Sequence, residues 1–411
     1  MSEPEYTFVD TKPKPKRRGW LQKLIITFGV IVALVAGTGA GAYFYVTTQL
    51  TAAGIDVYTP AGQKFELPTA ADLKGPINIL LIGSDTRVDQ GANYGAVDGA
   101  RADVIILLHM SEDRKNAVAL SFPRDLMVSV PECPNPDGDA PFEARNMEQI
   151  NATMQTGGPA CTLIAVQALT GLEIPYLAVI DFKGVITMSE AVGGVTVCVA
   201  EPINDTYSKL YLDAGEHTLV GDEALAFLRT RHGVGDGSDL SRISNQQVFL
   251  TSLVRKLKDE GALTNPFTMF KIGNAALENM TLSNSFTNLG VIFGMAKALN
   301  SVQLDNITFL RLPVYDLTGD YAGRVAVVED KAGLLFDLLK TDAPVVLKEV
   351  NTGTGAVVAE ENKDAISPSA APPEDSSPAV TDSATPSETP TAEPLPDWAI
   401  GTNAATTTCS K

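Results

Sequence analysis

Acids and arginines set beside apolar runs carry most of the chemistry legible in this sequence. Asp85 follows the run Ile79–Ile82 through Gly83-Ser84, and Asp103 stands immediately before a second run, Val104–Leu108. Both acids therefore sit at expected strand edges, where side chains can converge on a ligand. Arg87 and Arg101 flank them, Arg124 follows a third run, Ala117–Phe122, and Arg229, Arg231 and Arg242 come later. Carboxylates beside guanidinium forks suit a phosphate bridged by a divalent cation, the acids holding the metal and the forks the oxygens. Asp85 and Asp103 are the expected metal ligands; an all-oxygen set favours magnesium, or manganese, over zinc. Arg87, Arg101, Arg124, Arg229, Arg231 and Arg242 form the expected pyrophosphate clamp. Gln246 joins them, one helical turn beyond Arg242 on the same face. Catalysis is assigned to Asp103, Arg101 and Arg231, with Asp103 an available proton acceptor beside the cation.

Each of these residues also has an ordinary structural reading. A single arginine more often lies on a solvated face or pairs with an acid such as Asp98, Asp125 or Asp239. Six of them beside strand ends, in a chain of formal net charge -18, make a pyrophosphate pocket the more economical explanation. His232 follows Arg231 and invites a base role, but it enters the glycine-rich stretch 233–238, which argues against one; His109 ends an apolar strand and reads as structural. No P-loop, GxSxG or HExxH pattern is present.

The elements that would position these residues alternate between strands and helices. Strands are expected at 77–82, 103–110 and 117–122, the last two forming a hairpin, then at 176–181, 195–199 and 307–313. Helices are expected at 146–156, 161–169 closed by Gly171, 182–191, 222–228, 240–260 capped by Asp239, 267–280, 285–299 and 327–340. The pattern indicates an α/β (α+β-like) layered domain over 75–345. The apolar helical segments 161–169, 243–257 and 267–299 are candidate walls for a cavity that takes a lipid chain.

Composition separates the rest. Residues 1–23 are basic, and Leu24–Val46 run without a charge for 23 residues, long enough to cross about 30 Å of hydrocarbon. The expectation is one retained transmembrane helix, its basic side in the cytoplasm, followed by an extracytoplasmic stalk, 47–74. Residues 346–411 read as a mostly disordered tail, since 363–397 are rich in Pro, Ser, Thr and acids. Acidity disfavours a nucleic-acid partner. Four cysteines permit three complete pairings, of which Cys133 with Cys161 would tie the polar loop 134–160.

The stretches Asn78–Arg87, Arg101–Asp103, Ser121–Asp125, Asp181-Phe182, Gly193–Val197, Gly221–Leu225, Arg229–Gly233 and Gly235–Arg242, with Gln246-Gln247, resemble the LytR-CpsA-Psr family of cell-wall ligases, in a form similar to actinobacterial members. The resemblance implies a three-layer sandwich with a central mixed β-sheet and a hydrophobic tunnel for a polyprenyl chain. It implies magnesium-dependent transfer of a glycopolymer from a polyprenyl-pyrophosphate donor at the cytoplasmic membrane to peptidoglycan. The expected acceptor is the C6 hydroxyl of N-acetylmuramic acid, and the actinobacterial likeness makes arabinogalactan the expected polymer. The implied ligands are Asp85 and Asp103 for metal and Arg101, Arg124, Arg229, Arg231 and Arg242 for pyrophosphate, with Gln246 close by. Many relatives carry an arginine where this chain has Asn245. The competing readings are a polyprenyl-pyrophosphate phosphohydrolase and a membrane-tethered wall-binding protein. The oligomeric state is left open.

Overall fold

Alternation along β1 (Ile77–Ser84) divides its side chains between two cores. Leu80 and Ile82 enter one apolar cluster, Ile77 and Ile79 another, as a period-two strand buried on both faces requires. β2 (Ala102–Met110) sends Ile105 and Leu107 one way and Ile106 and Met110 the other, and β3 (Ala117–Phe122) divides likewise. The computed structural model describes residues 54–59, 63–65, 73–85, 100–135, 140–286, 289–359 and 393–411. The basic segment 1–23, the expected span 24–46, Arg87 and residues 360–392 lie outside them. Among the described residues, no helix is long and apolar enough to cross a membrane.

The remaining strands are β4 (Met127–Val130), β5 (Arg145–Gln149), β6 (Tyr176–Ile180), β7 (Val195–Val199), β8 (Ile203–Asp205), β9 (Leu210–Leu212), β10 (Gly215–Leu219), β11 (Met280–Leu282), β12 (Ile307–Arg311), β13 (Val314–Asp316), β14 (Val325–Val327), β15 (Ala356–Val358), β16 (Gly401–Asn403) and β17 (Thr408–Ser410). The central sheet runs β11-β6-β1-β2-β3-β12-β16. It is mixed: β1, β2 and β3 form an antiparallel meander, while β6 lies parallel to β1 and β12 parallel to β3. Helices Thr153–Thr170 and Glu329–Lys340 supply Leu163, Val166, Leu335 and Leu339 to the first core. On the other face, helix Leu289–Ser301 supplies Val291 and Met295. This is the expected α/β sandwich with a central mixed sheet.

A smaller sheet, β10-β7-β17-β15, closes a third core with Phe227 and Phe249. Helix Asp239–Asp259 joins two of these cores, giving Val248 and Phe249 to the third and Leu250 and Val254 to the second.

Three local expectations need correction. β5 occupies Arg145–Gln149, where a helix was expected, because the segment pairs with β4; tertiary pairing outweighs local preference. The helix begins only at Thr153 and ends, as expected, at Gly171, whose φ of 69° closes the last turn. Ser238, not Asp239, caps the long helix, accepting from the Ser241 amide.

The largest difference concerns 346–411. Leu395 and Ala399 join the first core, β16 adds an edge to the central sheet, and β17 lies between β7 and β15. Disulfides join Cys133 to Cys161 and Cys198 to Cys409. The expected domain end at 345 is therefore too early, and 393–411 is not tail. The bulky residues around Trp398 supply burial and the Cys198–Cys409 cross-link tethers the end of the chain.

Candidate active site

The ends of β1, β2 and β3 bring the acids and the first arginines together. Asp85 follows β1, and its Oδ1 accepts from the Arg101 amide at 2.7 Å while its own amide donates to the Arg101 carbonyl at 3.2 Å. These bonds tie the entry and exit of the intervening chain. Asp103 lies two residues on, in β2, and accepts from Arg124 Nη1 at 2.8 Å. The Arg124 Nε lies 3.4 Å from Asp239 and 3.6 Å from Asp125. Burial alone would lower the Arg124 pKa, but Asp103 and the other two acids raise it above its ordinary value.

Helix Asp239–Asp259 carries the next layer. Arg242 is 5% exposed; its Nη2 lies 2.6 Å from Asp239 and donates to the Asp103 carbonyl at 2.9 Å. Burial pulls the Arg242 pKa down, Asp239 and Asp103 oppose that, and the charges of Arg124 and Arg231 reinforce it. An arginine stays protonated through such shifts, so like charges are held together at low dielectric. The Nε–H groups of Arg124, Arg231 and Arg242 are all buried without a hydrogen-bond partner. Each such group costs roughly 1–3 kcal/mol. The Nε–H groups of Arg231 and Arg242 are left available to an oxyanion, whereas that of Arg124 faces Asp239 and Asp125.

Arg229 ends helix Asp222–Arg229, its guanidinium 4.4 Å over the Phe182 ring. Beside it opens an apolar cavity of about 380 Å³. Asp103, Arg229, Arg242 and Gln246 stand among its lining residues, whereas Val185, Val192, Leu253 and Leu257 are typical of its walls. Of the expected wall segments, 243–257 contributes most and 267–299 adds Ile272 and Met280. Segment 161–169 does not contribute; its side chains fill the first core. Gln246 donates to the Leu228 carbonyl at 3.0 Å, fixing the end of the Arg229 helix.

Asp205 was not singled out from sequence. It is 1% exposed and accepts from Thr230 Oγ1 at 2.6 Å, the Arg231 amide at 3.1 Å and the His232 amide at 3.2 Å. It also takes the Tyr207 and Ser208 amides at 2.9 and 3.2 Å. Burial would raise its pKa, but these donors outweigh burial and hold it at about 2. Asp205 thus pins the backbone that presents Arg231. At Gly233 a Cβ would come within 2.9 Å of Ile203 and 3.1 Å of Asp205, so only glycine lets the arginine loop approach β8 this closely. Asn245 is fully buried; it donates to the Phe227 carbonyl at 2.7 Å and accepts from the Ser410 hydroxyl. It braces the fold rather than replacing a clamp arginine.

Among the described residues, no cluster of three or more His, Cys, Asp or Glu side chains is arranged to hold a metal ion. Asp85 bonds the Arg101 amide and Asp103 pairs with Arg124; carboxylates of this kind have the oxygen-only chemistry that a hard cation sharing phosphate oxygens would require. His232 is exposed and meets Tyr207 in a tilted ring contact, centroids 4.4 Å apart. His109 is structural, as expected, bonding Asn78 at 2.8 Å and Asp342 at 3.2 Å.

The chain is 28% identical over 364 residues to the cell wall biosynthesis protein LcpA of Corynebacterium glutamicum, covering 80% of this chain and 68% of that one. It is 33% identical over 213 residues to the probable cell wall biosynthesis protein LcpB of the same organism, covering 50% of this chain and only 48% of LcpB. The crystal structure of Bacillus subtilis TagV superposes with a TM-score of 0.51 at 23% identity, covering 66% of this chain and 97% of that one. That likeness concerns the fold. A profile of the LytR_cpsA_psr family matches residues 42–336, which include every arginine and acid of the site, and on that match the chain belongs to the LytR-CpsA-Psr family.

Proposed function

We propose that this protein transfers a phospho-glycopolymer from a polyprenyl-pyrophosphate carrier to a hydroxyl of peptidoglycan. The observation that carries the reading is an apolar cavity lined by Arg229 and Arg242 together with Asp103, which in turn binds Arg124, and this suits a donor with a charged pyrophosphate on a hydrocarbon chain. Support also comes from TagT of Bacillus subtilis, named as a polyisoprenyl-teichoic acid–peptidoglycan teichoic acid transferase, 26% identical over 306 residues that cover 72% of this chain and 88% of TagT.

In this reading the lipid lies along Val185, Leu253 and Leu257, and Arg101, Arg124, Arg229, Arg231 and Arg242 take the pyrophosphate oxygens, with Arg87 and Gln246 completing the clamp. The acceptor oxygen bonds to the polymer-bearing phosphorus as the bridging P–O bond breaks; polyprenyl monophosphate leaves, and Asp103 accepts the hydroxyl proton. Arg101 and Arg231 stabilise the charge developing on the phosphoryl oxygens. Asp85 and Asp103 would hold magnesium, which when bound neutralises pyrophosphate charge. The polymer of this proposal is arabinogalactan and the acceptor the C6 hydroxyl of N-acetylmuramic acid, as the resemblance of the motifs to actinobacterial members implies. The uncharged stretch 24–46 would keep the domain on the outer side of the cytoplasmic membrane, close to its lipid donor.

The test is a reaction of the full chain in nanodiscs with polyprenyl-pyrophosphate oligosaccharide and a muramic-acid-containing acceptor, followed by mass spectrometry. The expected result is a joined phosphodiester product that depends on magnesium and disappears in Asp103→Ala. Donor cleavage without joining would identify a phosphohydrolase instead, and an inert donor would leave a wall-binding protein.

A further inference from the structure

We infer that the β8–β9 hairpin and the first turn of helix Asp222–Arg229 form a pyranose-binding subsite for the acceptor glycan. The inference rests on the phosphotransfer reading for the direction of attack, and on the hairpin's own geometry for the class of ligand.

A second cavity, about 340 Å³, opens between the hairpin and that helix, and Lys209, Tyr211, Asp222 and Glu223 are among its lining residues. Leu225 and Arg229 line both this cavity and the apolar one, so these two side chains are the partition between them. In a displacement at phosphorus the nucleophile enters opposite the leaving group. If the departing polyprenyl phosphate occupies the apolar cavity, the acceptor enters from across Arg229, where the second cavity lies.

The lining there suits a sugar. Tyr211, which lines it, is 61% exposed, and Tyr207, at the turn of the same hairpin but outside the cavity lining, is 78% exposed; neither large ring gains anything from the core. Tyr211 points away from the core because its neighbour Leu210 points in, at 2% exposed. Tyr207 is held beside the arginine loop by its tilted ring contact with His232. Tyrosine offers an apolar face to the axial hydrogens of a pyranose and a hydroxyl at its rim, at low entropic cost. Asp222 and Glu223, in the first turn of the helix, bring carboxylates that accept from sugar hydroxyls, and Lys209 brings a donor. Polar lining and aromatic faces in one cleft distinguish it from the apolar cavity, which is walled for hydrocarbon. Asp205 links the subsite to catalysis, since the carboxylate that closes the Tyr207 turn also fixes the amides of Arg231 and His232.

The test titrates the full chain in nanodiscs with two probes by calorimetry: a muramic-acid-containing peptidoglycan tetrasaccharide, and the lipid-free oligosaccharide of the donor polymer. The variants are Tyr207→Ala, Tyr211→Ala, Tyr211→Phe and, as an exposed aromatic elsewhere, Phe293→Ala, which sits 56% exposed on helix Leu289–Ser301. Both alanine variants of the hairpin are expected to weaken the tetrasaccharide about tenfold, while Tyr211→Phe and Phe293→Ala stay within about twofold of wild type. Equal tetrasaccharide binding in all variants, or no binding to wild type, overturns the inference. Loss confined to the polymer oligosaccharide overturns the acceptor assignment. Donor cleavage measured on the same preparation tests phosphotransfer separately: an inert donor with hairpin-dependent tetrasaccharide binding would sink the transfer reading and leave the sugar site standing.

Discussion

Replacing Asp205 by Asn tests whether one buried carboxylate positions the arginine loop. The substitution keeps shape and removes charge. In the native protein Oδ2 accepts from Thr230 Oγ1 and from the Arg231 and His232 amides, and Oδ1 from the Tyr207 and Ser208 amides. An asparagine turns an NH2 toward one of these groups, so at least two buried donors face a donor. At roughly 1–3 kcal/mol for each of two orphaned donors, the fold should lose about 2–6 kcal/mol. The pH dependence gives an independent figure. Because the Asp205 pKa is depressed from 3.8 to about 2, its stabilisation is complete above pH 3.8 and is lost as pH falls through 2. The difference corresponds to about 2 kcal/mol, and that acid-side loss should be absent in the variant. Arg231 follows His232 and Thr230 when their anchor loosens, and a displacement of about 1 Å at a catalytic group can cost on the order of a hundredfold in rate. Urea unfolding measures the first effect and donor turnover, under conditions where the variant is folded, measures the second. Turnover within about threefold of wild type in a clearly destabilised variant would refute the positioning argument.

Other predictions follow from neighbouring groups. Arg242→Lys cannot reach Asp239 and the Asp103 carbonyl together while presenting an Nε–H, so kcat/KM for the donor should fall by about 30-fold or more, measured by initial rates. Cys198→Ser with Cys409→Ser removes a cross-link spanning 211 residues; the unfolding midpoint should drop by about 5–10 °C in calorimetry, and amides of 408–411 should exchange faster with solvent. Burial lowers the His109 pKa below 6.5 against the opposing pull of Asp342. A depressed histidine contributes stability that is full above 6.5 and declines as pH falls below it. Thermal midpoints measured downward from about pH 7.5 should fall, with a shallower slope in His109→Gln.

The parts legible in sequence are those with a short-range signature. Apolar runs ending in Asp85, Asp103 and Arg124 gave the strand ends, and helical periodicity placed Arg242 and Gln246 on one face. The ordinary reading of the arginines and the functional one turned out to be compatible. Arg124 does approach Asp125 and Asp239 through its Nε, yet the Nε–H groups of Arg231 and Arg242 remain without partners. What was not legible depends on distance along the chain. Asp205 ends a three-residue strand, and its role comes from amides 26 and 27 residues away, for which no local pattern exists. The order of 393–411 depends on Cys409 meeting Cys198, and the brace at Asn245 depends on Ser410, 165 residues later. Segment 161–169 shows the limit of apolar content alone: a helix filling a core and one lining a cavity carry the same side chains.

The central claim, that the apolar cavity seats the donor's lipid directly beneath the arginine clamp, is tested most directly by blocking that cavity. Initial rates of joined-product formation would be measured for donors with short and long polyprenyl chains, in wild type and in Leu253→Trp, whose indole would fill the cavity about two helical turns beyond Gln246. Wild type should prefer the long-chain donor, and Leu253→Trp should lose that preference while still using the short one. A Leu253→Trp protein that is folded and keeps the full long-chain preference would contradict the account.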